Sequence, residues 1–156
     1  MREEKFMSEA IRLSSFGIQQ NEGGPFGCVI VKDDEIIARG WNQVLLTNDP
    51  TAHAEVIAVR EACKKLNSFH LEGCELYTSC EPCPMCLGAI YWARVKVIYF
   101  ANTKTDAADV GFNDSLIYDE LLGPHDQRMI KMISIGRNEA LKVFQQWKEK
   151  ANKKLY

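Results

Sequence analysis

The sequence predicts an α/β chain: a three-layer α/β/α sandwich around a mixed, mostly parallel sheet. Three observations lead there: a hairpin near the start, two strand–helix–strand successions after it, and helical stripes at either end of the chain. The first stripe sets Met7, Ile11, Ser14 and Ile18 in one row with Phe6, Ala10, Leu13 and Gly17 beside it, so residues 6–20 read as a helix. Gly23-Gly24-Pro25 ends it. Phe26–Val31 and Ile36–Trp41, joined by Lys32-Asp33-Asp34-Glu35, then form an antiparallel hairpin. Residues 52–66 read as a helix, Cys74–Thr78 as a strand, Pro84–Ala93 as a helix and Lys96–Ala101 as a strand. Two right-handed crossovers follow from that alternation, with parallel pairing of the later strands and helices on both faces. Residues 102–128 are less regular and Met129–Ile135 reads as a last short strand. Phe144, Trp147, Ala151 and Leu155 line one stripe of a final helix. No repeat or linker interrupts the 156 residues, so 1–156 reads as one domain with 137–156 its C-terminal helix and tail.

Composition excludes several classes. With 46% hydrophobic and 26% charged residues the chain sits among soluble globular proteins, and no apolar run approaches the ~20 residues of a membrane helix. The opening MREEKFMSEA lacks a secretory pattern, which points to the cytoplasm. Nineteen basic against twenty-one acidic residues offer none of the attraction a nucleic-acid binder needs, so a small neutral substrate is expected, with no nucleic acid and no membrane as partner. Lys142, Lys148, Lys150, Lys153 and Lys154 read as a solvated helix face near a helix C-terminus. Three of the six cysteines crowd into residues 80–86, and in a reducing compartment crowded thiols suggest metal.

The strongest motif is His53-Ala54-Glu55 paired with Pro82-Cys83-Pro84-Met85-Cys86, a His-x-Glu with a Pro-Cys-x-x-Cys. Proline is tolerated only in the first turn of a helix, so Pro84 puts Cys83 near an N-cap and Cys86 near the third helical position. There the unpaired N–H groups and the helix dipole favour the thiolate that binds zinc. Thr51, after Pro50, is the expected N-cap of helix 52–66, which places His53 and Glu55 in its first turn. Three protein ligands leave Zn2+ one open position for water, the mark of a catalytic site, and Glu55 is the expected proton carrier. The metal signature leaves other outcomes open. Cys80 as a fourth ligand would close a structural zinc site in a non-enzymatic interaction protein. An iron–sulfur run lacks its fourth cysteine. Cys28, Cys63 and Cys74 read as small buried hydrophobes.

These residues resemble the cytidine-deaminase-like superfamily over most of the chain. GGPFG at 23–27, NDPTAHAE at 48–55, TSCEPCPMCLGAIYWAR at 78–94, TDAADVGFNDS at 105–115 and the terminal ANKKLY look most like its bacterial guanine-deaminase branch. The resemblance implies hydrolysis of guanine to xanthine and ammonia by attack of metal-activated water at C2. It further implies Asn42 on the purine edge, Asp114 at the guanine amine as a second proton-handling group, and Phe26, Trp92 and Phe112 walling the flat ring. Finally, it implies a homodimer in which the C-terminal segment is exchanged and Tyr156 closes the partner's site. A tRNA-adenosine deaminase, or a deaminase of cytosine, cytidine or another amino-heterocycle, shares the zinc core and differs in its pocket.

Overall fold

Four strands in the order β2-β1-β3-β4 form the sheet of the first of two units, Met1–Asp114, in the computed structural model, which describes all 156 residues. The strands are β1 (Gly27–Lys32), β2 (Glu35–Trp41), β3 (Glu75–Cys80) and β4 (Val97–Asn102). The sheet is mixed, as expected, but it is not mostly parallel: β1 runs antiparallel to both β2 and β3, and only β3–β4 is parallel. Both crossovers are present. The first, however, carries the chain from β2 over β1 to β1's free edge, so β3 shares β2's direction without being its neighbour.

Helix α1 (Arg2–Gln19) covers one face, burying Phe6 and Leu13 against Val29, Val31 and Tyr77. A short turn of helix, α2 (Val44–Thr47), precedes α3 (Ala54–Leu66), and α4 (Pro84–Trp92) links β3 to β4. On the second face Ala54, Ala58, Ala62, Ile90 and Ala93 meet Cys28, Ile30 and Leu76. The alternation of strand side chains thus splits the run Cys28–Val31 between the two faces, and all four are fully buried. Each valine or isoleucine contributes roughly 1.5–3 kcal/mol of burial. Helix α1 begins four residues earlier than its apolar stripe predicts because Arg2 ties the first turn to the sheet, pairing with Asp34 and, at 2.9 Å, with Glu75.

The small side chains on α3 let it lie close on β2. A Cβ at Gly40 would stand 2.2 Å from the Ala54 carbonyl oxygen and 2.8 Å from the Ala58 nitrogen, both backbone atoms of α3. Gly40→Ala is therefore expected to lower stability by about 2–3 kcal/mol, as other overpacked sites do. Because α3 carries Glu55 and begins at His53, bound zinc should fall with it. Urea unfolding and metal content measure the two effects.

After β4 the chain is more helical than its sequence suggests. Helix α5 (Lys104–Asp109) starts with a capping box in which Thr103 and Asp106 bond reciprocally. The second unit, Ser115–Tyr156, holds α6 (Ser115–Leu122), a 3-10 turn at His125–Gln127 and α7 (Arg137–Glu149). Met129–Ile135 is not a strand. This unit contains no strand with which it could pair, and an extended segment without a partner gains no ladder hydrogen bonds. No helix is long and apolar enough to cross a membrane.

Candidate active site

Two helix N-termini supply the metal ligands. Cys83 is the N-cap of α4 with Pro84 behind it, and its sulfur accepts the Cys86 N–H at 3.5 Å. His53 is itself the N-cap of α3, in extended backbone, so the sequence-based placement of the cap at Thr51 is off by two residues. Asp49 explains the difference, since its Oδ1 accepts both the N–H and the hydroxyl of Thr51 (2.8 and 2.7 Å) and takes that side chain out of the helix. The capping position leaves the imidazole outside the helical turn, where it faces the second helix end.

His53 Nδ1 lies 3.6 Å from Cys83 Sγ and 3.4 Å from Cys86 Sγ, and the three ligand atoms fall within 4.8 Å of one another. A tetrahedral zinc with Zn–S of ~2.3 Å and Zn–N of ~2.0–2.1 Å separates sulfur from nitrogen by about 3.5 Å, so the residues fit that ion. Cys80 is not part of the group: its thiol turns to the Thr103 carbonyl at 3.6 Å. The donor set is therefore the three-ligand kind.

Charge within the cluster prepares it for a cation. The Cys86 thiol and the His53 ring, both bonded to Cys83, bring the Cys83 thiol down to about 4 against the opposing effect of burial. The bond to Cys83, together with burial, pushes Cys86 up, and the bond to Cys83 raises His53. A divalent ion bound by these three side chains takes them as thiolates and neutral imidazole, so its binding releases protons.

Glu55 follows one residue into α3 and is only 5% exposed. Its Oε1 accepts from the Thr78 hydroxyl at 3.0 Å and its Oε2 from the Cys86 thiol at 3.4 Å. Burial raises its pKa, offset in part by these bonds. A carboxyl next to a metal site, held by hydrogen bonds and biased toward protonation, is suited to take and return a proton near neutral pH. Thr78 is the contact to Glu55 that sequence reasoning misses. Its signal was a hydroxyl placed two residues after Leu76, on the same buried face of a strand.

A second group forms around Asn42, which is buried. Its Oδ1 accepts the N–H groups of Gly24 and Val44, both at 3.2 Å, so it acts as the turn former its position suggests. Its side-chain NH2 stays outside those bonds. Phe26, whose carbonyl accepts the Asn42 N–H at 3.0 Å, meets Phe112 edge to face with ring centroids 4.9 Å apart. Asp114 follows two residues on. Burial and the negative charge of Cys83 and Glu81 raise its pKa, against Lys104, so it stands in the field of the metal ligands. Asn42, Phe26 and Phe112 therefore belong to one neighbourhood. Trp92 ends α4, whose other end begins after Cys83. Tyr156 ends the second unit and is exposed.

Residues 1–102 match the family model for the cytidine and deoxycytidylate deaminase zinc-binding region. The chain belongs to that family and is a hydrolytic, zinc-binding deaminase. Its similarity to one member runs end to end: guanine deaminase of Bacillus subtilis is 54% identical over 156 residues, all of both chains. The X-ray structure of guanine deaminase from that organism superposes with a TM-score of 0.95 over 98% of each chain. The tRNA-specific adenosine deaminase of Aquifex aeolicus is 46% identical over 105 residues, 67% of this chain and 69% of its own.

Proposed function

We propose that this chain hydrolyses guanine to xanthine and ammonia. The observation carrying the reading is that similarity to a guanine deaminase extends over the whole chain, the C-terminal third included, whereas the adenosine-deaminase relative aligns over 67% of it. Zinc held by His53, Cys83 and Cys86 supplies the Lewis acidity that lets water act as a nucleophile near neutral pH. Glu55 takes the first proton of the attacking water and gives it to the ring nitrogen as the C–O bond forms at C2; it then carries the second, from the new hydroxyl, to the exocyclic amine, which leaves as ammonia as the C–N bond breaks. The Asn42 NH2, free of the turn its oxygen holds, donates to an acceptor on the purine edge. The Phe26–Phe112 pair flanks the ring, and Asp114 accepts from the 2-amine and assists proton transfer.

The same reading takes the protein as a cytoplasmic homodimer with an exchanged C-terminal segment. The unpaired state of all six cysteines suits a reducing compartment. Residues 115–156 bury no side chain, and Leu141, Phe144, Trp147, Leu155 and Tyr156 are all exposed, more apolar surface than a small helical unit leaves to water. Deletion of residues 152–156 is expected to lower kcat/KM on guanine by at least about tenfold if Tyr156 closes a partner's site. Unchanged activity, with unchanged association in sedimentation, would remove the swapped lid from the proposal.

The test of substrate is ammonia release by zinc-loaded protein given guanine, adenine, cytosine, cytidine and a tRNA anticodon stem-loop in parallel. Turnover confined to guanine is the expected result. Turnover of another substrate with guanine inert would discard the pocket assignments and keep the metal chemistry.

A further inference from the structure

Thr78 occupies the centre of β3, fully buried, opposite Cys28 on one side and Phe100 on the other. The strand does not need a hydroxyl here, since valine has the same branched shape and suits a buried strand at least as well. The adjacent Ser79 shows a different use of a hydroxyl: its oxygen accepts the Gly27 N–H at 3.0 Å and stitches the start of β1 to β3. The Thr78 hydroxyl instead crosses to α3 and donates to Glu55 Oε1 at 3.0 Å. The other carboxyl oxygen, Oε2, takes the Cys86 thiol at 3.4 Å. A cysteine that ligates zinc does so as a thiolate and has no proton to donate. Of these two side-chain donors, Thr78 is then the one that remains, and it engages only one oxygen.

We propose that Thr78 is a positioning residue for the deamination: by fixing Oε1 it makes Oε2 the oxygen that faces the water and the reacting ring. The inference deepens the reading of Glu55 as proton carrier and rests on it. A carboxylate has a broad, nearly two-fold torsion at its last bond, so a single hydrogen bond to one oxygen is enough to select its plane. Without that bond the group still carries a proton but is less often in line for the transfer, and misplacement on the ångström scale costs up to about 100-fold in rate.

The experiment compares Thr78→Val, Thr78→Ser and Glu55→Gln with the wild-type chain, all full length and zinc-loaded. Thr78→Val is expected to lower kcat on guanine by about 10- to 100-fold. Zinc content, KM, the Kd for xanthine and the urea midpoint should stay near wild type. Thr78→Ser, which restores the hydroxyl, should recover kcat to within about threefold. A Thr78→Val enzyme with wild-type kcat overturns the proposal. So does a loss of rate that Thr78→Ser fails to repair, or one matched by lost zinc or a raised KM. Glu55→Gln separates the layers: if it still turns over guanine, the reading of Glu55 itself fails, whereas an inactive Glu55→Gln beside a fully active Thr78→Val removes only the role of Thr78.

Discussion

Glu55→Gln is expected to leave a folded protein with one zinc per chain and a kcat on guanine reduced by about 10³- to 10⁴-fold. The size follows from what the substitution removes. Glutamine keeps the volume and can still meet the Thr78 hydroxyl through its amide oxygen, so α3 and its packing on β2 persist. It cannot accept a proton from water or hand one to the leaving nitrogen, and loss of a general acid–base group costs about 10² to 10⁴. One residue serving in both directions puts the loss at the upper end. Because Glu55 is not among the grouped ligands, metal content should not change. Stability should hold or rise slightly, since a buried carboxyl disfavoured by desolvation is replaced by a neutral amide. Metal analysis, urea unfolding and ammonia release on the same preparation check all three. Wild-type turnover would remove Glu55 as the proton carrier and leave the metal chemistry standing.

Cys83→Ala carries the other large effect, and here zinc and activity should disappear together. The substitution removes a ligand and an N-cap at once, because the same sulfur faces the metal position and accepts the Cys86 N–H. Two remaining ligands do not make the three-ligand site that catalytic zinc requires. Activity is expected to fall below detection, at least about 10⁴-fold. The lost cap should cost about 1 kcal/mol in the metal-free state. Chelation of the wild-type protein should reproduce the loss of activity, and added zinc should restore it. The Cys83→Ala protein should stay silent in the same zinc, and recovery there would show that another side chain completes the site.

Much of the site is legible in the chain because its chemistry is local. Pro84 fixes where α4 begins, so it fixes Cys83 and Cys86 at one helix end, and no tertiary information is needed to see that both sulfurs point the same way. Likewise, the order of strands and helices through residue 102 follows from apolar stripes and turn residues. The N-cap of α3 falls at His53 and not at Thr51 because the Asp49 carboxylate claims the threonine side chain, a contact that capping propensity alone does not encode. Residues 129–135 depart from the expected strand for a related reason. A β-branched, apolar run says that a strand is affordable, but a strand exists only where another strand lies beside it.

The sequence by itself determined the ligand types, the candidate for proton carrier, the two crossovers and the broad class of chemistry, since each depends on residue identity and on spacings within one or two helical turns. Only the tertiary structure decided which sheet edge β3 takes, that Trp92 stands at the far end of α4, and that Phe26 meets Phe112. It alone also brought Thr78 and Glu55, 23 residues apart in the chain, to within 3.0 Å. The physical reason is the same in each case: these are long-range contacts set by packing of helices on a sheet, and no local propensity encodes which side chains will face one another across it.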